Sequence, residues 1–271
     1  MKSHETDVLL YYFTTLCMAA CLVVLTSCAS APPAGESTST SVTKEREMAE
    51  RQLALRNYPA ALKHLQKVLE ANPTDPQVHY DLSIVYRAKG LYDKALGHLK
   101  EALRLKPDYP EAYNALGSLY IDMKQYDKAI KWLEKAATDI YYKTPHYAYF
   151  NLGRAYEGKK NYDEAIKSYK TAIQIAPKFS RAFFRLGVIS EMQGKLEEAK
   201  LYYEKALLIN TQNPNVYYNL GRVYCALGEY KKAVGAFERV RILAPATELS
   251  DKAELYLRRL KHYNQYNRVI R

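Results

Sequence analysis

The sequence predicts an all-α protein in which six helix–turn–helix repeats stack into a right-handed superhelix, followed by a capping helix. Three observations support this prediction. The motif Tyr-x-x-Ala or Leu-x-x-Ala occurs six times, and its alanines, from Ala61 to Ala233, follow one another at spacings of 34, 34, 36, 34 and 34 residues. Apolar residues three and four apart form one stripe on each helix, and most repeats close with a proline. Because no such unit buries its stripe alone, neighbouring units must stack.

Residues 1–27 are predicted to be a lipoprotein signal peptide. Residues 8–24 are almost uniformly apolar, but this run is too short and too abruptly ended for a comfortable membrane span. It ends in Leu25-Thr26-Ser27-Cys28, which resembles the lipobox of bacterial lipoproteins. The resemblance implies that Cys28 becomes the first mature residue and carries the lipid, with acyl chains such as palmitate. The leading segment holds two acidic residues where positive charge is expected, and the alternative is an uncleaved N-terminal membrane anchor.

The segment after the signal is predicted to be a tether at the membrane. Residues 28–43 hold the lipidated cysteine and a stretch rich in Ser, Thr, Pro and Ala without apolar periodicity, which is typical of a flexible linker. Ala29 stands where Asp favours inner-membrane retention, so the lipobox resemblance implies an outer-membrane lipoprotein that faces the periplasm. Three of the four cysteines lie at or before Cys28, which leaves Cys225 in the repeats and no internal disulfide.

Residues 44–247 hold the six repeats, and each recurring position has a packing reason. Glycine at the eighth position and alanine at the twentieth let the two helices cross closely, while aromatic residues fill the wider gaps and explain the 26 tyrosines. Proline at the thirty-second position ends the second helix. The pattern resembles the tetratricopeptide-repeat (TPR) family, which implies a concave face built from the first helices. The predicted repeats cover about 42–75, 76–109, 110–145, 146–179, 180–213 and 214–247.

Two repeats depart from the regular pattern, and a further helix follows the sixth. The third repeat is two residues longer and lacks its closing proline, so between Thr138 and Pro145 either the second helix continues or a loop intervenes. The first repeat lacks the usual Leu, Gly and Tyr, which suits a terminal unit with one face in solvent. Residues 248–271 are predicted to be a capping helix and tail, because Leu249, Ala253 and Leu257 form one more helical stripe.

The sequence holds no arrangement typical of an enzyme. Its six histidines are scattered without an HxxxH or HExxH spacing, and it has no GxGxxG, phosphate-loop or GxSxG motif. We therefore expect no catalytic residue, no metal, no cofactor and no small-molecule substrate. The net charge of +11 comes from 40 Lys and Arg against 29 Asp and Glu, but no dense basic run marks a nucleic-acid site. An export signal also argues against a nucleic-acid partner.

The concave face is the predicted functional site, where a peptide would bind. Its mixture of aromatic residues, arginine and amides is typical of protein-binding hot spots, and an extended or helical peptide would fit along it. Asn151, Arg181 and Arg185 resemble three of the five residues that grip a terminal carboxylate in chaperone-binding TPR domains, with Asn114 and Ser118 at the other two places. The predicted groove residues are Tyr80, Arg87, Asn114, Ser118, Tyr147, Phe150, Asn151, Arg154, Arg181, Phe184, Arg185, Tyr218 and Arg222.

The combination of features resembles one group of TPR proteins. A lipobox, a short tether, six repeats and a lengthened third repeat are together similar to the type IV pilus biogenesis lipoproteins of the PilF/PilW/Tgl group. This resemblance implies a pilotin-like protein, anchored in the outer membrane, that helps a pilus secretin to reach that membrane and assemble. The implied partner is a secretin subunit or another pilus assembly component. A general periplasmic scaffold for envelope or polysaccharide machinery is the alternative.

Overall fold

The computed structural model describes the backbone of residues 34–269 and the side chains of residues 40–262. The predicted signal peptide and Cys28 lie outside the described residues. None of the helices in the described part has the length and apolar character needed to cross a membrane.

The described residues form thirteen α-helices and no β-strand, which confirms the predicted all-α repeat fold. Each predicted repeat consists of two helices, and the last helix follows the sixth repeat. The helices are α1 Ala34–Ala54, α2 Tyr58–Ala71, α3 Pro76–Ala88, α4 Tyr92–Leu105, α5 Pro110–Asp122, α6 Tyr126–Ala137, α7 Pro145–Gly158, α8 Tyr162–Ile175, α9 Ser180–Met192, α10 Leu196–Ile209, α11 Pro214–Ala226, α12 Tyr230–Leu243 and α13 Glu248–Val269.

The chain divides into two compact units, one up to Val78 and one from His79 onward. In the first unit α1 packs along α2, with Ala49 and Leu65 in the buried interface. Polar contacts reinforce this hairpin, since the Glu45 carboxylate accepts hydrogen bonds from the Lys67 ammonium at 2.5 Å and lies 2.6 Å from the His64 Nδ1.

In the second unit the helices pack as successive hairpins. The pairs α5–α6, α7–α8, α9–α10 and α11–α12 each pack closely, each second helix also packs on the next first helix, and α13 packs on α12. First helices of successive repeats touch as well, as α5 and α7 do. The alanines at the twentieth position are fully buried where the helices cross, as predicted: Ala95, Ala129, Ala165, Ala199 and Ala233.

In the fourth, fifth and sixth repeats the glycines at the eighth position are required by aromatic rings that lie against the backbone. A Cβ atom added to Gly153 would lie 2.5 Å from the ring of Tyr169, and one added to Gly187 would lie 2.5 Å from the ring of Tyr203. Both tyrosines are fully buried. This close approach is the packing reason that the sequence pattern predicts.

A loop, rather than a continued helix, accounts for the two extra residues of the third repeat. Helix α6 ends at Ala137 and α7 begins at Pro145. The Asp139 side chain accepts a hydrogen bond from the Tyr141 backbone N–H at 2.8 Å, which fixes a turn. Tyr142 is buried and anchors this loop, whereas Ile140 and Tyr141 are 86% and 83% exposed.

The first and last helices of the described residues extend further than the sequence predicts. Helix α1 begins at Ala34, so it occupies the second part of the predicted flexible tether. It follows a Pro-Pro step, and from Glu36 to its end it contains neither Pro nor Gly to interrupt it. The capping helix α13 is confirmed, and it continues to Val269 through the residues predicted as a tail.

Candidate functional site

Side chains from successive first helices meet on one side of the second unit. We call this side the first-helix face, and it is defined by contacts between α3, α5, α7, α9 and α11. The Asn151 amide of α7 donates to the Asn114 amide oxygen of α5 at 2.9 Å. The Arg154 guanidinium in turn donates to the Asn151 amide oxygen at 3.2 Å. The structure thereby brings together residues that the sequence assigns to one groove.

Arginine–carboxylate pairs connect the repeats along this face. The Arg87 Nε donates to the Asp122 carboxylate at 2.6 Å, and the Arg154 guanidinium lies 3.7 Å from the same carboxylate. Arg222 lies 2.9 Å from the Glu191 carboxylate. We call this set the ion-pair ladder, and it places a pair at each of the four junctions between the second and sixth repeats. Its members are Arg87, Asp122, Arg154, Glu157, Arg185, Glu191 and Arg222.

Buried tyrosine hydroxyls hold two carboxylates of the ladder in place. The Tyr169 hydroxyl donates to the Glu157 carboxylate at 2.8 Å, and the Tyr203 hydroxyl donates to the Glu191 carboxylate at 2.8 Å. Burial raises the pKa of both tyrosines well above the usual value, so the hydroxyls stay protonated and remain donors. Sequence reasoning missed this arrangement. The sequence signal for three of the four pairs is an acidic residue near the end of one first helix, followed about one repeat later by an arginine on the next first helix.

A basic cavity of about 430 Å³ opens on the first-helix face between α5, α7 and α9. Ile121 and Phe150 form its apolar floor. Both are almost completely buried, at 9% and 4% exposure. The charged groups that line it are three guanidinium groups and one carboxylate. The lining residues are Ile121, Tyr126, Phe150, Arg154, Glu157, Gly158, Arg181 and Arg185.

Aromatic rings form a cluster beside the basic cavity. The Phe150 ring contacts the Phe179 ring edge-on at 5.2 Å, and the Tyr147 ring contacts Phe179 in the same way at 5.5 Å. The Arg181 guanidinium lies over both phenylalanine rings, 4.7 Å from the centre of Phe150 and 5.6 Å from that of Phe179. His146 completes the cluster by packing against Tyr147 and Phe179.

The structure corrects the predicted accessibility of three groove residues. Ser118, Phe150 and Asn151 are buried in the folded chain. Tyr147, Arg181 and Arg222 are exposed. The other predicted groove residues are half-buried: Tyr80, Arg87, Asn114, Arg154, Phe184, Arg185 and Tyr218.

The five residues that resemble a terminal-carboxylate grip do not form one open site. Asn151 is engaged with Asn114, and Ser118 is buried. The Arg185 Nε donates to the Glu157 carboxylate at 3.0 Å, and a second Arg185 nitrogen contacts the other carboxylate oxygen. This geometry assigns those residues mainly to the junctions between repeats.

Another cavity, of about 700 Å³, is lined by residues of α10, α11 and α12. It is lined mostly by apolar groups, among them Leu207, Leu208 and Ala236, with Lys232 and Arg239 also contributing. Leu208 is 84% exposed. None of the predicted groove residues is among those that line this cavity.

The described residues show no cluster that resembles a metal centre or a nucleophile. No group of three or more His, Cys, Asp or Glu side chains lies close enough to hold a metal ion within this part of the chain. Cys225 is a half-buried thiol, and burial raises its pKa, which keeps it protonated and unreactive at neutral pH.

Comparison with known families extends over the repeats. Sequence profiles described as tetratricopeptide repeat match residues 108–178, residues 150–215, and both 52–97 and 191–255. A profile described as TPR repeat matches residues 84–123. The search of curated proteins found no match to this chain.

Several solved structures share the fold. PilW, a widely conserved type IV pilus biogenesis factor, is 20% identical over 78% of this chain and 97% of PilW, with a TM-score of 0.70. Pseudomonas aeruginosa PilF is 17% identical over 81% of this chain and 99% of PilF, with a TM-score of 0.68. A thermophilic TPR protein of Thermus thermophilus is 21% identical over 67% of this chain and 98% of its own, with a TM-score of 0.56. At these identities the similarity shows a common fold.

Proposed function

We propose, from the premise that this chain belongs to the tetratricopeptide-repeat family, that the protein is a binding module that helps a type IV pilus secretin to localise and assemble. The observation that carries the proposal is the first-helix face. There a cavity with an apolar floor, exposed arginine and an aromatic cluster lie side by side. Arginine and aromatic side chains are the residue types that dominate binding energy at protein interfaces.

The pilus assignment is supported by two independent similarities. PilW and PilF share the fold over most of this chain and nearly all of their own length. The sequence in front of the repeats resembles a lipobox, as expected for a lipoprotein that acts at the outer membrane. The proposed location is therefore the periplasmic side of the outer membrane, with the chain anchored by acyl chains at Cys28.

The proposed mechanism is capture rather than chemistry. Two or more acyl chains make membrane anchoring stable, so the repeats would stay near the site of secretin assembly. A secretin segment held on the first-helix face would meet other subunits at a raised effective concentration, which favours ring assembly. The repeats would supply specificity, and the anchor would supply location.

Site-specific cross-linking in the native envelope tests this proposal. A photoreactive p-benzoylphenylalanine replaces Tyr147 on the first-helix face, or Leu208 on the second-helix side as the matched control, since both positions are exposed. The expected result is a cross-link to the secretin subunit from position 147 and none from position 208. Deletion of the gene should also remove secretin multimers. Intact multimers together with cross-links to other envelope proteins would favour the general scaffold instead.

A further inference from the structure

The basic cavity carries more positive than negative charge. Arg154, Arg181 and Arg185 line it, and Glu157 is the only carboxylate among its lining residues. We propose that this cavity receives an aspartate or glutamate side chain from an extended partner segment whose neighbouring residue is aromatic. The proposal rests on the proposed function, since it names the chemistry of the segment that the first-helix face binds.

The nearby carboxylates are already committed to other donors. Glu157 accepts a hydrogen bond from the Tyr169 hydroxyl at 2.8 Å and is held by two nitrogens of Arg185. Asp122 is bound by Arg87 at 2.6 Å. Arg154 lies 3.7 Å from Asp122, so this one carboxylate is shared between the positive charges of Arg87 and Arg154.

The arginines also act on one another. Burial lowers the pKa of Arg185, and the nearby positive charge of Arg154 lowers it further. Two like charges at a half-buried site repel each other, and an anion bound between them would relieve that repulsion. A bound carboxylate would also accept charge-assisted hydrogen bonds, which are stronger than neutral ones.

The cavity has room and an apolar floor beside the charge. Its volume of about 430 Å³ falls within the range of roughly 300–1,000 Å³ found for ligand pockets. Phe150 forms part of the apolar lining, and the Arg181 guanidinium lies 4.7 Å from the centre of its ring. An aromatic side chain next to the acidic residue would pack against the exposed Tyr147 ring beside the cavity, while the carboxylate meets the guanidinium groups.

The surroundings favour an acidic side chain over a chain terminus. The residues that resemble a terminal-carboxylate grip form no open site, since Asn151 is bonded to Asn114 and Ser118 is buried. The rings of Tyr147 and Phe179 lie beside the cavity, where a segment that continues past its acidic residue can contact them.

Short peptides test the proposal directly. The full chain, labelled with ¹⁵N-arginine and purified in detergent micelles, is titrated with Ac-Phe-Glu-Phe-NH₂ and the arginine Nε–Hε signals are followed by NMR. The matched peptides are Ac-Phe-Gln-Phe-NH₂, which lacks the carboxylate, and Ac-Phe-Gln-Phe-OH, which carries only a terminal one. We expect the Arg154 and Arg181 signals to shift with the glutamate peptide. Both glutamine peptides should bind more weakly than the glutamate peptide by at least about tenfold.

Substitutions locate the effect. Arg154→Gln and Arg181→Gln should each weaken binding of the glutamate peptide, whereas Arg104→Gln, an exposed pair partner of Glu101 on α4, should leave it unchanged. Circular dichroism of each variant checks the fold. Equal binding of the three peptides, preference for the terminal carboxylate, or unchanged binding in both cavity variants would overturn the proposal.

The outcome separates this inference from the proposed function. Cross-linking of the secretin from position 147, together with no glutamate preference, would leave the function standing and reject the carboxylate site. Glutamate binding at Arg154 and Arg181 without secretin cross-links would retain the site and reject the secretin as the partner.

Discussion

Replacing Gly187 with alanine should destabilise the fifth repeat by about 1–3 kcal/mol. The new Cβ would lie 2.5 Å from one ring carbon of Tyr203 and 2.6 Å from another, which forces the ring or α9 to move. Overpacking of this kind costs about 1–3 kcal/mol. Movement of the ring would also strain the hydrogen bond from Tyr203 to Glu191, worth about 1 kcal/mol. The better helix propensity of alanine offsets about 1 kcal/mol of this total.

A matched substitution isolates the steric effect. Gly235 lies within α12, and a Cβ added there meets no atom within 4 Å. Gly235→Ala should therefore stabilise the protein by about 0.5–1 kcal/mol through helix propensity alone. Urea unfolding followed by far-ultraviolet circular dichroism measures both variants. If the Gly187→Ala and Gly235→Ala proteins had the same urea midpoint, the packing explanation of the eighth-position glycines would be refuted.

Three further predictions concern the anchor, the pH dependence and the ion-pair ladder. Cys28→Ser should leave the repeats folded but release the protein from membranes, and a variant that still sediments with membranes would indicate an uncleaved anchor. Burial, and secondarily the charge of His79, hold the pKa of His98 below its ordinary 6.5. The contribution of neutral His98 to the free energy of unfolding should therefore be complete above pH 6.5 and fall as the pH drops toward the folded-state pKa. His98→Gln should reduce the resulting change in urea midpoint. Glu191→Gln should lower the free energy of unfolding by about 1–2 kcal/mol, because Arg222 loses its partner. An unchanged urea midpoint would show that this pair does not stabilise the array.

The repeat pattern predicted the fold well because each recurring residue type answers a local steric need. Gly153 and Gly187 lie under buried rings, and the twentieth-position alanines are fully buried, as the spacing indicated. The period also located the irregular third repeat. It could not choose between a longer helix and a loop, since that choice depends on Tyr142 finding a buried site in the folded chain.

The groove was harder to predict because position within a repeat does not reveal what a neighbouring repeat places over it. Phe150 stands at a groove position, yet Phe179 from the end of the same repeat and Arg181 from the next repeat cover it. Asn151 similarly turns toward Asn114 of the preceding repeat. Such contacts join residues about one repeat apart, and a consensus position carries no information about them.

The ion-pair ladder and the basic cavity share residues, and this determines which substitutions are informative. Arg185 and Glu157 join the fourth and fifth repeats, so replacing either one changes the packing of first helices as well as the charge of the cavity. Arg181 is exposed and stands outside the ladder, with its guanidinium over Phe150 at the open side of the cavity. An effect of Arg181→Gln on peptide binding at unchanged stability would therefore reflect recognition. The same effect in Arg154→Gln or Arg185→Gln, which both alter the ladder, reflects recognition only where the urea midpoint of the variant is unchanged.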